Sequence, residues 1–304
     1  MKPKEIVVVS GKGGTGKTSL VAAFASLAEG VVLADCDVDA ADLHLLMSPK
    51  VLRSEEFSGG GKAVIRPRDC IRCGACLAHC RFDAVLRRDG GAEGDSFTVD
   101  PLSCEGCGVC VWHCPADAVD FRPNVSGEWY VSETRRGPMV HARLRIAEEN
   151  SGKLVSMVRR EAAKLAEERG LGLILTDGPP GIGCPVIASF GRTDMALVVA
   201  EPTVSGLHDL KRVMELAARF GVPAKVCINK CDINPRMAEE IRAACRAQGV
   251  AVAGGLPYDP DVTRAQMLAK SVVECSDGPA AAEAKRMWSG IETSLKACGP
   301  AHGE

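Results

Sequence analysis

The sequence has no cationic surplus. Its 37 Lys and Arg face 39 Asp and Glu, for a formal net charge of −2. Binding nucleic acid through the phosphate backbone draws on such a surplus, so a polybasic nucleic-acid binder is excluded. No apolar run approaches the ~18 residues of a membrane-spanning helix. The opening Met1-Lys2-Pro3-Lys4-Glu5 runs straight into a strand pattern, without the apolar stretch and small-residue cleavage site of a secretory leader, so a cytoplasmic location is expected. Aromatic residues are scarce, at 4%. What remains is ordinary for a globular chain, with 46% hydrophobic and 25% charged residues. The 15 cysteines are the exception. Disulfides do not persist in a reducing compartment, so this number points to metal binding.

Eight of the cysteines form an internal repeat. Cys70, Cys73, Cys76 and Cys80 are echoed 34 residues later by Cys104, Cys107, Cys110 and Cys114, and both copies run on to Asp-Ala-Val, at Asp83-Ala84-Val85 and Asp117-Ala118-Val119. The duplication predicts two similar units about a local pseudo-two-fold. Around it, apolar strand runs alternate with helical periods. Strands are expected at Ile6–Val9, Val31–Leu33, Leu173–Thr176 (ending at Asp177), Ala196–Ala200, Ala224–Ile228 and Val250–Ala253. Helices are expected at Thr18–Glu29, Gly152–Glu168, Leu207–Phe220, Pro235–Gln248 and Ala280–Lys296. The fold class is therefore α/β, a mostly parallel sheet with helices on both faces, with an inserted domain whose cysteine spacing resembles that of an α+β bacterial ferredoxin. Gly59-Gly60-Gly61 and Pro123-Asn124 mark the hinges. They give a discontinuous α/β domain over residues 1–61 and 124–304, and an insert over 62–123. The stripe Met287, Trp288, Ile291, Leu295 has too few flanking cations for an interfacial helix, so it is expected to pack in the core without stable membrane association.

Gly11-Lys12-Gly13-Gly14-Thr15-Gly16-Lys17-Thr18 fits G-x-x-x-x-G-K-T between a strand and a helix. Such a loop turns backbone N–H groups onto phosphate, with Lys17 at the outer phosphates and the Thr18 hydroxyl on Mg²⁺; Ser19 completes the segment. The second lysine, Lys12, makes the run resemble the deviant phosphate loop of the MinD/ParA/Mrp superfamily of dimeric ATPases, the group that includes the nitrogenase iron protein. The resemblance implies that Lys12 reaches across a dimer interface to the partner's nucleotide, with contact to its own nucleotide as the alternative. It implies that Asp37, within Asp35-Cys36-Asp37-Val38-Asp39, acts on water bound to Mg²⁺ or on the attacking water. Asp35 and Asp39 are then solvated or cap the next turn. It further implies that Asp177, within Asp177-Gly178-Pro179-Pro180-Gly181, holds a Mg²⁺ water. The catalytic set is Lys12, Lys17, Asp37 and Asp177. Asn229 and Asp232, in Asn229-Lys230-Cys231-Asp232, with Pro257 and Asp259, in Pro257-Tyr258-Asp259, are the base-side residues. ATP is favoured over GTP, although N-K-x-D is also a guanine-reading pattern.

C-x₂-C-x₂-C-x₃-C occurring twice is the bacterial two-cluster ferredoxin pattern. That pattern assigns Cys70, Cys73, Cys76 and Cys114 to one [4Fe-4S] cluster and Cys104, Cys107, Cys110 and Cys80 to another. Zinc competes, but its sites use pairs of ligands. Arg81 replaces the proline that follows the last cysteine in the second run, Pro115. Trp112 is expected to shield a cluster, His79 and His113 to pack beside the clusters, and Cys184 to be a buried thiol or, by resemblance to the nitrogenase iron protein, a bridging ligand. Cys36, Cys227, Cys231, Cys245, Cys275 and Cys298 are read as packing or incidental.

Taken together the chain resembles MinD-superfamily ATPases with an inserted ferredoxin domain. Gly137–Ala142 and Glu148–Leu154 share in that likeness. The resemblance implies ATP hydrolysis at a homodimer or heterodimer interface with a related ATPase, coupled to electron transfer to a client protein. The alternatives are a nucleotide-dependent iron–sulfur assembly or carrier protein, and a positioning ATPase whose clusters are sensors or staples.

Overall fold

A computed structural model describes residues 2–90, 94–145, 148 and 151–297. The chain divides into two compact units. The first holds residues through Glu55, Trp129–Arg143 and the chain from Ser151 onward; the second holds Glu56–Glu128 and Leu144–Asn150. Glu149, Asn150 and Cys298 lie outside the described residues.

The first unit opens with β1 (Lys4–Ser10), α1 (Lys17–Leu27), β2 (Val31–Asp35) and α2 (Leu43–Met47). β3 (Lys50–Ile65) then leads the chain into the second unit, which contains α3 (Ala75–His79), β4 (Val85–Arg88), β5 (Ser96–Val99) and α4 (Val109–Trp112). β6 (Val119–Thr134) leads back, followed by β7 (Gly137–Leu144), α5 (Ser151–Arg169), β8 (Leu173–Pro180), α6 (Cys184–Phe190), β9 (Met195–Ala200) and α7 (Val204–Arg219). β10 (Ala224–Asn229), α8 (Pro235–Ala247), β11 (Ala251–Leu256), α9 (Pro260–Met267), α10 (Val272–Cys275) and α11 (Pro279–Ala297) complete it.

One sheet has the order β11-β10-β9-β1-β8-β2-β7-β6-β3. β1 lies parallel to β8 and β9, β2 to β8 and β7, and β10 to β9 and β11. The apolar runs explain this. Ile6, Val7, Val8 and Val9 are all fully buried, and a strand covered on both faces reads as a continuous run. Alternation then deals the side chains to two cores. Ile6 and Val8 join Leu20, Phe24, Leu175 and Ile291 on one face, while Val7 and Val9 join Phe190, Leu210, Met214 and Ile241 on the other. The C-terminal stripe is core: Met287, Trp288 and Ile291 are buried, and the Trp288 ring lies 5.1 Å from that of Phe24.

Two expectations about breaks are corrected. Gly59-Gly60-Gly61 does not turn; it lies inside β3. Pro123-Asn124 likewise lies inside β6. Ladder pairing overrides the local breaker signal there. β8 also runs through Asp177 to Pro180 instead of stopping at Asp177.

In the second unit the 34-residue period recurs in structure. Gly74 and Gly108 are both left-handed, at φ 75° and 73°, and so are Asp83 and Asp117, at 52° and 49°. The Arg66 N–H donates to Ala118 O, and its counterpart Asp100 N–H donates to Ala84 O, each at 2.8 Å. β4 begins 34 residues before β6, and β4 pairs antiparallel with β5. His79 and His113 stack face to face at 3.9 Å between centroids. Trp112 does not shield the interior. It is 79% exposed, because α4 ends there and leaves its ring on the outer side of the turn.

A buried ion pair braces the first unit. The Arg159 guanidinium, on α5, donates to both Glu5 carboxylate oxygens on β1, at 2.7 and 2.6 Å, and also to Thr193 Oγ1 and Ala188 O. The Thr176 hydroxyl donates to the same carboxylate. Removing one partner strands the other charge in a dry interior. Arg159→Ala should therefore cost about 3–5 kcal/mol in urea unfolding; a loss below about 1 kcal/mol would show that the brace is idle.

Candidate functional site

The glycine-rich loop spans the C-terminal end of β1 and the N-terminus of α1. Gly16 caps the helix with φ 89°. A Cβ there would meet Asn229 Nδ2 at 2.4 Å, so both the backbone conformation and the space require glycine. Asn229 closes on the loop, its Nδ2 donating to Thr15 O at 2.8 Å while its Oδ1 accepts from Lys230 N at 3.0 Å. A helix start leaves its first-turn N–H groups without intrahelical acceptors, the usual anion seat, and α1 begins at Lys17.

Two carboxylates, Asp37 and Asp177, face Lys17, and a third, Asp35, lies beside Asp177. The Lys17 ammonium, 4% exposed, lies 3.7 Å from Asp37. Asp35 and Asp177 are in register on β2 and β8, and both are fully buried. Asp35 is not solvated; it caps the next turn, accepting from Asp37 N and Leu43 N. Neither oxygen of Asp177 has a hydrogen-bond partner among the described residues. Burial pushes Asp177 up to about 7, with Lys17 and Thr18 opposing the rise and Asp37 adding to it. Burial also raises Asp35 well above its ordinary value, reinforced by Asp177, and raises Asp37, which Lys17 opposes. An orphaned buried carboxylate beside a helix-start hydroxyl suits a hard divalent cation such as Mg²⁺, whose ligands are oxygens.

On the base side lies a cavity of about 240 Å³, lined by Gly14, Gly16, Ser19, Asn229, Lys230, Pro257, Tyr258, Asp259, Gln266 and apolar side chains from α1, α9 and α11. Ser19 Oγ accepts from Gln266 Nε2 at 2.7 Å. Asp259 caps two helices, accepting from Asp261 N and Ala280 N. Asp232 does not line the cavity, and its Oδ1 accepts from Tyr258 N at 2.7 Å. That carboxylate braces the Pro257–Asp259 turn. Lys230, Tyr258 and Gln266 went unread in the sequence; Gln266 carries no motif, being brought to Ser19 across 247 residues by the packing of α9.

Gly11, Gly13 and Thr15 complete the loop, and Thr15 Oγ1 is buried without a hydrogen-bond partner among the described residues. Lys12 folds back within its own chain. Its ammonium lies 3.4 Å from Glu201 and 3.4 Å from Thr203 Oγ1, while Lys230 reaches the same Glu201 carboxylate at 2.6 Å. Thr203 also caps α7.

In the second unit Cys76 is buried and packs with Cys70, Cys80, Cys104, Cys110 and Cys114 against Ala63, Ile65, Val85, Phe97 and Val119. Burial raises the Cys76 thiol, and its neighbours Cys70 and Cys73 add to the rise; burial raises Cys110 likewise, with Cys104 and Cys107 adding. Cys80 lines one small pocket together with Cys104, Cys107 and Cys110. The Ala118 N–H donates to Cys114 Sγ at 3.2 Å. Among the described residues no three His, Cys, Asp or Glu side chains are grouped to hold a single metal ion. Cys184, expected to be buried, is exposed at the start of α6, and Cys275 is exposed too.

The sheet, the loop and the orphaned carboxylate define a P-loop nucleotide-binding protein. The chain belongs to the CobQ/CobB/MinD/ParA nucleotide binding domain family, which matches residues 6–272. An uncharacterized protein of Methanocaldococcus jannaschii is 35% identical over 234 residues, 76% of this chain and 79% of that protein. The fold is that of the septum site-determining protein MinD of Pyrococcus horikoshii, solved with Mg-ADP, at TM-score 0.57 and 15% identity over 98% of this chain and 99% of that one. The cell division ATPase MinD of Pyrococcus furiosus gives 0.57 and 17% identity over 97% of this chain and all of its own. Among the described residues no helix is long and apolar enough to cross a membrane.

The raised Asp177 sets a pH dependence. Its neutral form is favoured in the fold, so its contribution is complete below about pH 4 and is lost as pH rises through about 7. The nucleotide-free chain should lose stability over that interval, and Asp177→Asn should flatten the loss. Urea midpoints at pH 5 and pH 7.5 measure it; an equal decline in both proteins would refute the assignment.

Proposed function

We propose that this chain is a MinD-type ATPase that couples ATP binding and hydrolysis at a dimer interface to electron transfer through two [4Fe-4S] clusters held by its second unit. The observation that carries the redox half is the pocket shared by Cys80 with Cys104, Cys107 and Cys110. It unites three thiols of one run with the last thiol of the other, as the crossed ligand pattern requires. The second set is Cys70, Cys73, Cys76 and Cys114. When bound, the clusters supply one-electron storage, while the protein supplies thiolates, an apolar surround and N–H donors such as Ala118.

In the ATPase half, the N–H groups of Gly13–Thr18 receive the phosphates and Lys17 exchanges Asp37 for phosphate oxygen. Thr18 and, through water, Asp37 and Asp177 would hold Mg²⁺, which would supply charge neutralisation on the phosphates. Asp37 orients the attacking water. Lys12 leaves Glu201 and places its ammonium on the partner's nucleotide, lowering the barrier by charge stabilisation alone. Asn229, Pro257, Tyr258 and Asp259 enclose the base. The use of the Asp232 carboxylate in bracing Tyr258 supports ATP over GTP. A homodimer or a heterodimer with a related ATPase satisfies this scheme, with an iron–sulfur client as electron partner. The MinD likeness also favours a second reading, a positioning ATPase in which the clusters sense or staple.

Lys17→Ala should abolish hydrolysis. Lys12→Ala should slow it by roughly a hundredfold or more while nucleotide still binds the single subunit, as read by phosphate release and by fluorescent-nucleotide titration. Hydrolysis undiminished in Lys12→Ala would end the dimer-closure scheme. Anaerobic preparations should carry about eight iron atoms per chain, with a cluster signature in electron paramagnetic resonance that ATP alters. A colourless, iron-free protein holding zinc would overturn the redox half; clusters indifferent to nucleotide would favour the second reading.

A further inference from the structure

The two cysteine loops are built alike but charged oppositely. Residues 66–88 carry six arginines against Asp69 and Asp83, a net +4; the equivalent stretch 34 residues later, 100–122, carries Arg122 against four carboxylates, a net −3. Two arginines of the first stretch are committed to ion pairs, Arg66 with Asp69 and Asp120, and Arg87 with Asp95. Arg68, Arg72, Arg81 and Arg88 are exposed and form no ion pair among the described residues. Between the first two stands Ile71, 64% exposed, and next to Arg72 stands Cys73, the exposed thiol of its run.

Arg72 is also kept at a conformational cost. It is left-handed, at φ 62°, a region where an arginine is strained and glycine is relaxed. The equivalent position in the other repeat is Gly106, at φ 63°. The first loop thus carries a cation where the geometry favours glycine.

We propose that the Arg68–Cys73 loop is the docking face for an acidic electron-carrier protein. This rests on the redox reading above and adds the charge of the client and the point at which it approaches. Exposed cations steer an acidic partner into contact and set its orientation. Ile71 gives the apolar centre of the contact, with arginine beside it, and the exposed Cys73 shortens the electron path. The carboxylate-rich second loop repels the same partner, so the acidic carrier meets only one end of the pair.

The test uses the intact protein, reduced anaerobically with dithionite and mixed in a stopped-flow cell with oxidised probes. The acidic probe is rubredoxin and the basic probe is cytochrome c. One electron leaves a reduced cluster and reduces the ferric iron of the probe, with no atom transferred. The rubredoxin rate should fall steeply as salt rises. Arg68→Gln combined with Arg72→Gly should lower it about tenfold at low salt and flatten its salt dependence, while cytochrome c reacts no more slowly. Arg72→Gly alone should unfold at no lower urea concentration than the parent, so the rate loss is not a folding defect. A rubredoxin rate unchanged in the double variant, or insensitive to salt in the parent, would overturn the docking face. A preparation with no dithionite-reducible iron would instead overturn the redox reading, and this inference with it.

Discussion

Two fully buried carboxylates sit side by side in register. Asp35 ends β2, and Asp177 lies opposite it within the adjacent parallel β8, both at full burial; neither can ionise comfortably beside the other. Asp35 spends its oxygens on backbone N–H groups of the following turn, which leaves Asp177 to bear the deficit. The surroundings supply positive potential from the loop amides, the start of α1 and Lys17. A divalent cation bound there would offset carboxylate charge that Lys17 alone opposes.

The strand–loop–helix logic was legible because the sequence spells it in consecutive residues. Ile6–Val9, the eight loop residues and the start of α1 form one contiguous signal, as do the two cysteine runs. Helix bounds at α5, α7, α8 and α11 followed from periodicity to within a few residues. Features made by residues distant in sequence were not legible. Gln266 meets Ser19, and Glu201 meets both Lys12 and Lys230, through packing that no local pattern encodes. Asp232 was readable as a guanine ligand from its motif, yet its oxygen is taken by Tyr258 N.

Breaker residues misled for a related reason. Three glycines in a row at Gly59–Gly61 read as a hinge, whereas β3 carries straight through them, with Gly59 N donating to Ser126 Oγ. Burial of single side chains was misread as well. Trp112 and Cys184 are residue types usually found inside, but each lies at a helix end that turns it outward. The duplicated cysteine unit fared better, since a repeat constrains its own geometry: what one copy does at Gly74 and Asp83, the other does at Gly108 and Asp117.

Glu201 has one carboxylate and two suitors. It touches Lys230, the neighbour of the residue that clasps the loop at Thr15, and it touches Lys12 at the loop's far edge. A single negative group cannot serve two ammonium ions at full strength, so a departure of either cation deepens the hold on the other. By thermodynamic reciprocity, the energy with which one end of the nucleotide cradle tightens when the opposite end lets go must equal the energy felt in reverse. The two ends of the cradle are therefore accounts drawn on the same charge.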